Sequence, residues 1–196
     1  MKRLFVAVDV DENARAQIAA IAAAARRACS GLRRQPRVSW VHVDRLHLTL
    51  EFLGEVDEAA ERRARSALAE PFAVAPFSLQ FAGLGLFPSI GPPRVLWLGI
   101  GDGSSQLCAI QAELRRRVRG SEGRGEEFKP HLTLARFRDR VSRPDLREIV
   151  ELDASAGPCR IDRVTLYEGH LSPKGPTHIG LAEGPLRPCT SAPLPP

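Results

Sequence analysis

Several common features are missing from this 196-residue chain. No apolar run approaches the roughly 20 residues that span a bilayer, and the first residues lack the small-residue cleavage site of a secretory signal. The four cysteines are scattered, with no Cys-x-x-Cys pair, which favours free thiols over disulfides. We therefore expect a cytoplasmic globular protein without a membrane segment, and its 43% hydrophobic residues suffice for a core.

Lysine is also scarce. Of the 28 basic residues only Lys2, Lys129 and Lys174 are lysine, which leaves 28 − 3 = 25 arginines. The net charge of +5 and the isoelectric point of about 9.5 are compatible with a polyanionic partner. Abundant alanine, arginine, glycine and proline are equally typical of a GC-rich genome. Charge alone therefore does not decide whether the chain binds nucleic acid.

What the chain does contain is one tetrapeptide used twice, as His47–Leu50 and again as His131–Leu134. In an extended strand, residues two apart share a face. Each copy would therefore present its histidine and threonine on one side of a strand and send two leucines into a core. A leucine-rich chain repeats some tetrapeptides by chance, so the surroundings of the two copies decide what the repeat means.

Those surroundings repeat as well. Apolar periodicity and turn residues predict the same order around each copy: strand, helix, motif strand, helix, strand. From His47 to Phe77, where the third strand is predicted to begin, is 30 residues, and from His131 to Cys159 is 28. We interpret the pattern as an internal duplication whose two units pack about a pseudo-two-fold axis. Such packing would bring both motifs to one central cleft.

The carboxyl-terminal part is predicted to begin with a helix from Pro144 to about Leu152. A strand is predicted at Arg160–Tyr167 and a last one at about His178–Ala182. The proline-rich residues 185–196 are predicted to be an unstructured tail. Residues 1–184 would then form a single domain of two closely packed lobes.

Two histidines facing one cleft are suited to concerted acid–base catalysis. An unperturbed imidazole has a pKa of about 6.5, so one ring can be neutral while the other is protonated near neutral pH. Each such catalyst contributes on the order of 10²–10⁴ in rate. The hydroxyls of Thr49 and Thr133 would lie on the same faces, where they could hold the non-bridging oxygens of a phosphoryl group.

Two other interpretations compete with this one. A lone strand histidine is most often structural, but two equivalent His-x-Thr pairs in repeated surroundings favour a site. Zinc is bound by histidine and cysteine, yet no cysteine or carboxylate lies beside His47 or His131 at ligand spacing. His42, His170 and His178 could join such a site in principle. We therefore predict an acid–base site without metal or cofactor.

Five segments in a fixed order carry a resemblance to a known family. They are Arg3–Val8, Leu46–Gly54, Gly83–Ser89, Pro93–Gly99 and Phe128–Arg136. Each is modest alone, but together they are specific, and the match runs to about Leu181. On these residues the chain resembles the bacterial and archaeal RNA 2′,3′-cyclic phosphodiesterases, historically called 2′-5′ RNA ligases, of the two-histidine phosphoesterase superfamily.

The resemblance implies an α+β fold with two pseudo-symmetric lobes, each with an antiparallel sheet and outer helices, around a central groove. It implies metal-independent hydrolysis of RNA 2′,3′-cyclic phosphate ends to a 2′-phosphate, with weak reversible 2′-5′ ligation, in the family of tRNA halves. His47 and His131 would be base and acid, and Thr49 and Thr133 would bind the phosphate. One imidazole must protonate O3′ while the other activates water. The sequence does not decide between them, and we favour His131 as the acid.

Three further residues take their predicted roles from the resemblance. The family places an arginine of the second motif near the phosphate, which assigns Arg136 to substrate binding. Arg136 lies five residues after His131 and would face away from it in an ideal strand, so a bend or strand end is required. Phe5 and Phe128 are predicted to stack on RNA bases. For each of them a place in the core is an equally good interpretation.

One departure from the family concerns the last strands. The family usually has a serine after Leu166-Tyr167-Glu168 and a tyrosine shortly after a Gly-Pro pair. Here Gly169 and His178 occupy those positions. Two polar contacts to the substrate are therefore absent or altered, and His178 could replace the tyrosine as a donor or simply be exposed. Substrate preference stays open.

The sequence thus predicts a monomeric enzyme that acts on RNA with a 2′,3′-cyclic phosphate end. One alternative is a phosphodiesterase of the same superfamily acting on small cyclic nucleotides or on 2′-5′ oligonucleotides. Another is a non-catalytic module that binds nucleotides or RNA. A module that only binds has no need for two titratable groups, and both His-x-Thr motifs are intact.

Overall fold

A computed structural model describes residues 1–119, 127–172 and 175–187. Short apolar runs form its strands, and capped alanine- or leucine-rich stretches form its helices. The strands described are β1 Lys2–Asp9, β2 Val38–Trp40, β3 His47–Val56, β4 Phe77–Phe87, β5 Val95–Ile100, β6 Leu132–Phe137, β7 Ser155–Ile161, β8 Arg163–Ser172 and β9 Gly175–Pro185. The helices are α1 Glu12–Ser30, α2 Glu58–Ala69, α3 Ser104–Arg119 and α4 Arg147–Val150, with 3-10 turns at Val43–Arg45 and Pro144–Leu146.

Local chemistry accounts for where the first two helices begin. The Asp11 side chain accepts a hydrogen bond from the backbone of Ala14 at 2.9 Å, and Asp57 does the same for Ala60 at 2.7 Å. These carboxylates satisfy amides that would otherwise lack partners at a helix start. Helix α1 then buries one apolar side, which includes Ile18. Among the described residues, no helix is long and apolar enough to cross a membrane.

Two antiparallel sheets form the framework. The first has the strand order β3-β1-β8-β9, and the second has the order β2-β6-β5-β4-β7. Each motif strand pairs with the strand that comes before the preceding long helix. In the first sheet β3 pairs with β1, and in the second sheet β6 pairs with β5. The α+β fold of two antiparallel sheets with helices, predicted from the resemblance, is confirmed.

The two sheets exchange helices and strands along the chain. Helix α1 follows β1 of the first sheet but packs on β7 of the second, and α3 follows β5 of the second but packs on β3 of the first. Strand β4, predicted to end the first unit, pairs with β5 and β7 instead. The buried side chains of both sheets join in one apolar core. The duplicated units of the sequence are therefore not the same as the two lobes.

The carboxyl-terminal prediction was partly wrong. Residues predicted as one strand at Arg160–Tyr167 belong to β7 and β8, which lie in different sheets and are separated only by Asp162. No glycine or proline marks this crossing, so the sequence reads as continuous. The predicted helix after Pro144 is a 3-10 turn followed by four α-helical residues. The last strand is longer than predicted, because β8 and β9 pair along their whole length.

The chain stays packed beyond the predicted start of its tail. Leu186 is only 4% exposed, and its amide donates to the Asp162 carbonyl at 2.9 Å. The carbonyl of Pro185 accepts from the Phe72 amide, also at 2.9 Å. The start of the tail at residue 185 was therefore placed too early. Residues 188–196 lie outside the described residues.

Candidate active site

Both motif strands contain a β-bulge at the same motif position. In β3, Ala7 of β1 pairs with Thr49 and the next residue, Val6, pairs with Glu51, so Leu50 has no partner. In β6, Trp97 pairs with Thr133 and Leu96 with Ala135, so Leu134 has none. An extra residue of this kind shifts the alternation of faces by one. The final leucine of each His-Leu-Thr-Leu motif is the bulged residue.

Because of the bulge, the residue five positions after each motif histidine lies on the same face of the strand as that histidine. In β6 it buries both Leu134 and Ala135 and brings Arg136 out to the exposed side. In β3 the equivalent position is Phe52, which is 61% exposed. The bend that Arg136 required is therefore supplied by Leu134, and an aromatic side chain takes the equivalent place in the first lobe.

Each motif histidine is held by the same hydrogen bond. Nδ1 of His47 lies 2.7 Å from the carbonyl oxygen of Arg45, and Nδ1 of His131 lies 2.7 Å from that of Lys129. A carbonyl oxygen can only accept, so Nδ1 carries the proton in both rings. The other nitrogen, Nε2, is then free to take a proton when the ring is neutral or to give one when it is charged. Both rings have the same tautomer.

Aromatic rings flank both histidines. The Phe5 ring lies 5.1 Å from that of His47 between centroids, tilted by 33°. In the second lobe, the ring of Trp97 lies 6.2 Å from that of His131 between centroids, and the two planes are tilted by 59°. The Trp97 indole lies across Gly85 of the neighbouring strand, where a side chain of any size would collide with it. Apolar rings thus exclude water from one side of each imidazole.

The pKa values of the two histidines have three causes in common. Burial lowers the pKa of both, and the bond from Nδ1 raises it in both. The Arg136 guanidinium lowers both pKa values as well, so one cation of β6 acts on the ring of its own strand and on the ring of β3. Because β3 and β6 also approach each other, both rings lie within the influence of the same guanidinium.

A carboxylate acts on His47. Asp9 lies opposite His47 in the register of β1 and β3, and its charge raises the pKa of that histidine. Asp9 is fixed by two hydroxyls of β8: Tyr167 donates to it at 2.6 Å and Thr165 at 3.1 Å. Burial and the bond to Asp9 raise the pKa of Tyr167, which therefore stays a donor. His131 has no such carboxylate among the described residues that shift its pKa.

The remaining predicted residues fall in three positions. Thr49 and Thr133 are half-buried and lie two residues from their histidines, before the bulge, and so on the histidine face. Phe128 is partly buried and packs against the core. Phe5 is only 5% exposed, because it lies among the rings of His47, Phe52, Tyr167 and His178. Phe5 therefore packs against the His47 ring, and base stacking by Phe5 or Phe128 stays a prediction.

Sequence reasoning missed four side chains of this region. Phe52 and Asp9 gave no motif signal of their own, and His178 was noted only as a departure. The fourth, Glu51, is 7% exposed and faces α3, where it accepts from Gln111 at 3.0 Å. Its other donors are Arg115 and Arg119. In the described part of the chain, no three histidine, cysteine, aspartate or glutamate side chains converge as a metal site requires.

Comparisons with known proteins agree with this geometry. Residues 7–172 match the model of the 2′-5′ RNA ligase superfamily. The chain is 33% identical over 181 residues to an Archaeoglobus fulgidus protein named RNA 2′,3′-cyclic phosphodiesterase, covering 91% of this chain and 97% of that one. A Thermotoga maritima protein of the same name is 33% identical over 189 residues, with 92% and 94% covered.

Solved structures agree as well. The crystal structure of E. coli LigT complexed with 3′-AMP superposes with a TM-score of 0.69 at 28% identity, covering 94% of this chain and 97% of that one. The matched family segment includes both His-x-Thr motifs, Asp9 and Arg136. Because the family model matches most of the chain and the sheet architecture is shared, the chain belongs to the 2′-5′ RNA ligase superfamily.

Proposed function

We propose that the protein hydrolyses RNA 2′,3′-cyclic phosphate ends to 2′-phosphates by acid–base catalysis with His47 and His131. The observation that carries the proposal is the matched pair of imidazoles, each with Nδ1 bound to a carbonyl and Nε2 left for the groove. The names of the relatives support the same activity, since each is called an RNA 2′,3′-cyclic phosphodiesterase.

The chemistry follows from one bond made and one broken. Water attacks phosphorus and loses a proton to the neutral histidine, while the bond from phosphorus to O3′ breaks and O3′ takes a proton from the charged histidine. The products are a 2′-phosphate and a free 3′-hydroxyl. Developing charge on the non-bridging oxygens is met by the hydroxyls of Thr49 and Thr133 and by Arg136. We keep His131 as the expected acid and His47 as the base.

Bound phosphate has a further effect on the pair. Its negative charge offsets that of Arg136, which otherwise disfavours the protonated form of both histidines. Only one ring needs to be charged for the reaction. The bound anion therefore favours protonation of the imidazole that acts as the acid. Phosphate binding and the protonation of one imidazole are thus coupled in this proposal.

The same groups would catalyse ligation. If the 5′-hydroxyl of a second RNA replaces water, the identical transfer of two protons leaves a 2′-5′ linkage and a free O3′. Water is far more concentrated than any RNA end, so hydrolysis dominates and joined RNA accumulates weakly. The physiological RNA, for which tRNA fragments are candidates, the monomeric state and the cytoplasmic location stay predictions of the sequence.

The test uses the full chain, EDTA and a short RNA ending in a 2′,3′-cyclic phosphate. We expect a product whose phosphate a phosphatase removes and whose position nuclease mapping assigns to O2′. His47→Ala and His131→Ala should each lower kcat/KM by at least about 100-fold. His170→Ala is the matched control, because His170 is exposed and pairs with Glu168. Activity that survives either motif variant would refute the mechanism.

A further inference from the structure

We propose that His178 is a positioning residue for His47, which holds that imidazole in place and keeps water from its outer edge. The role rests on the proposed function only in so far as His47 acts in catalysis. The position of the ring itself is independent of any substrate.

His178 reaches this place from the far end of the chain. It lies on β9, two strands away from β1, and β9 is the edge strand of the first sheet. The ring centroid of His178 is 5.0 Å from that of His47, and the two planes are almost perpendicular at 89°. The same ring lies edge-on to Phe5 at 4.9 Å. His178 therefore packs against the catalytic ring and against the aromatic side chain beneath it.

The second lobe contains the same arrangement with a different residue. His131 has Trp97 on one side and, edge-on, Phe87 at 4.9 Å and 80°. Each motif histidine is thus flanked by one ring and set against a second at nearly a right angle, the geometry that aromatic pairs prefer. In the second lobe the edge-on ring is phenylalanine, which cannot titrate. The role that His178 and Phe87 share is therefore the packing of an aromatic ring against a motif histidine.

The charges near His178 suit such a role. Burial, followed by the charges of His47 and Arg45, lowers its pKa to about 4. The ring therefore remains neutral at physiological pH and does not compete with His47 for a proton. The groups that act on His47 from other elements are Asp9 of β1, which favours its charged form, and Arg136 of β6, which disfavours it. A neutral ring on β9 adds burial and no charge.

Removal of the His178 ring should therefore let water reach His47 and change the pKa of that histidine. Burial is the largest cause of its lowered pKa, and the His178 ring supplies part of that burial. His178→Ala should raise the pKa of His47 towards its ordinary value. His178→Phe keeps a ring of similar shape and should leave that pKa where it is. A substrate-binding donor at this position would behave differently, because phenylalanine cannot donate a hydrogen bond.

The experiment is an NMR titration of the His47 ring in the full chain, together with kcat and KM on an RNA with a 2′,3′-cyclic phosphate end. For His178→Ala we expect a rise in the His47 pKa of roughly half a unit and a fall in kcat of about tenfold with KM nearly unchanged. His178→Phe should restore both. Ile179→Ala is the control, because Ile179 is 53% exposed and, as the next residue of β9, belongs to the other face of the strand.

Each result decides the proposal. Should His178→Ala not fold, His178→Gln replaces it, since glutamine is polar but has no ring, and the alanine result is expected. An unchanged His47 titration in the ring-free variant would overturn the proposal. So would a phenylalanine variant as impaired as the alanine one, or one with raised KM. If the wild-type protein proves inactive on RNA ends, the titration alone still tests the positioning role, and only the proposed function fails.

Discussion

The two motif strands share a backbone and differ in the side chains that the backbone presents. Both contain a bulge at the last leucine of the motif, and both hold the histidine through a carbonyl two residues earlier. After the bulge, the first strand exposes Phe52 and the second exposes Arg136. The first strand thus offers an aromatic face and the second offers a cation. A substrate with a base at one end and a phosphate at the other fits this difference.

The buried partners of the two strands differ in the same way. Behind the bulge, Glu51 of β3 faces α3, and the equivalent residue of β6, Ala135, is fully buried in the apolar core. Arg119 donates both to Glu51 and to the carbonyl oxygen of Phe52, each at 2.8 Å. Polar contacts fix the first motif strand where apolar packing suffices for the second. Two strands with the same bulge are therefore supported in different ways.

Loss of Arg136 should have the largest effect on this comparison. Arg136→Ala removes the cation of the second strand, and we expect kcat/KM to fall by about 100-fold, because donors aimed at developing charge contribute on this scale. Since Arg136 lowers the pKa of both histidines, both limbs of the pH–rate profile should move to higher pH.

The control for that variant is Arg147→Ala, because Arg147 of α4 is exposed and pairs with Glu151 just after that helix. Arg136→Lys keeps the charge but not the two-pronged contact, so it should recover part of the activity. A profile in which only one limb moves would contradict a groove shared by both rings.

Removal of Glu51 tests the support of the first strand. Glu51→Ala leaves Gln111 and two arginines without their acceptor, and we expect the free energy of unfolding to fall by about 1–3 kcal/mol. Urea denaturation of the purified protein measures it. Glu55→Ala, an exposed glutamate on the same strand, should change stability by less than about 0.5 kcal/mol. Equal losses for both variants would show that α3 does not fix β3 through Glu51.

Phe52 should matter only for substrates that carry a base. Phe52→Ala removes the exposed aromatic face, and we expect kcat/KM to fall roughly tenfold, in line with the loss of one stacked base. A ribose 2′,3′-cyclic phosphate without a base should be hydrolysed equally by both proteins. Ile90→Ala, which removes an exposed apolar side chain elsewhere, is the control. An equal loss on the base-free substrate would assign Phe52 to packing on Phe5.

The smallest expected effect belongs to Asp9, and it identifies the role of His47. Asp9→Asn removes a charge that raises the pKa of His47, so that pKa should fall. If His47 is the base, the acidic limb of kcat/KM moves to lower pH, because the ring then loses its proton at lower pH. We expect this result, with the alkaline limb unchanged.

Movement of the alkaline limb alone would instead assign His47 as the acid. Glu58→Gln, on the exposed side of α2, should move neither limb. If both limbs move in Asp9→Asn, the carboxylate does not act on one histidine alone. That result would remove the electrostatic difference between the two lobes.

The sequence predicted the parts of the site that follow from strand periodicity. His47 and Thr49 share a face because they are two residues apart, and this needs no knowledge of the fold. The face of Arg136 depends on the bulge at Leu134, which is visible only in the register of β5 and β6. Nothing distinguishes Leu134 from any other strand leucine in the sequence. The match to a family supplied Arg136, and the backbone explains it.

Long-range placement was the other limit. The proximity of His178 to His47 depends on the chain passing at Asp162 from β7 of the second sheet to β8 of the first, and no turn residue marks that crossing. Asp9 looked like the end of a strand, and its role depends on two hydroxyls more than 150 residues later in the chain. Periodicity describes one face of one strand, and it says nothing of which strand lies beside it.

The late arrival of β8 and β9 has a consequence for synthesis. A ribosome makes β1 and β3 first, but β1 pairs with β8 along Leu4–Ala7, and β8 is made only after residue 163. Until then the first sheet is two strands wide, which is marginal for a stable sheet. Asp9 has neither hydroxyl partner, and His47 lacks the ring of His178. The nascent protein therefore completes its first sheet only when the chain is nearly complete, and the surroundings of His47 form last.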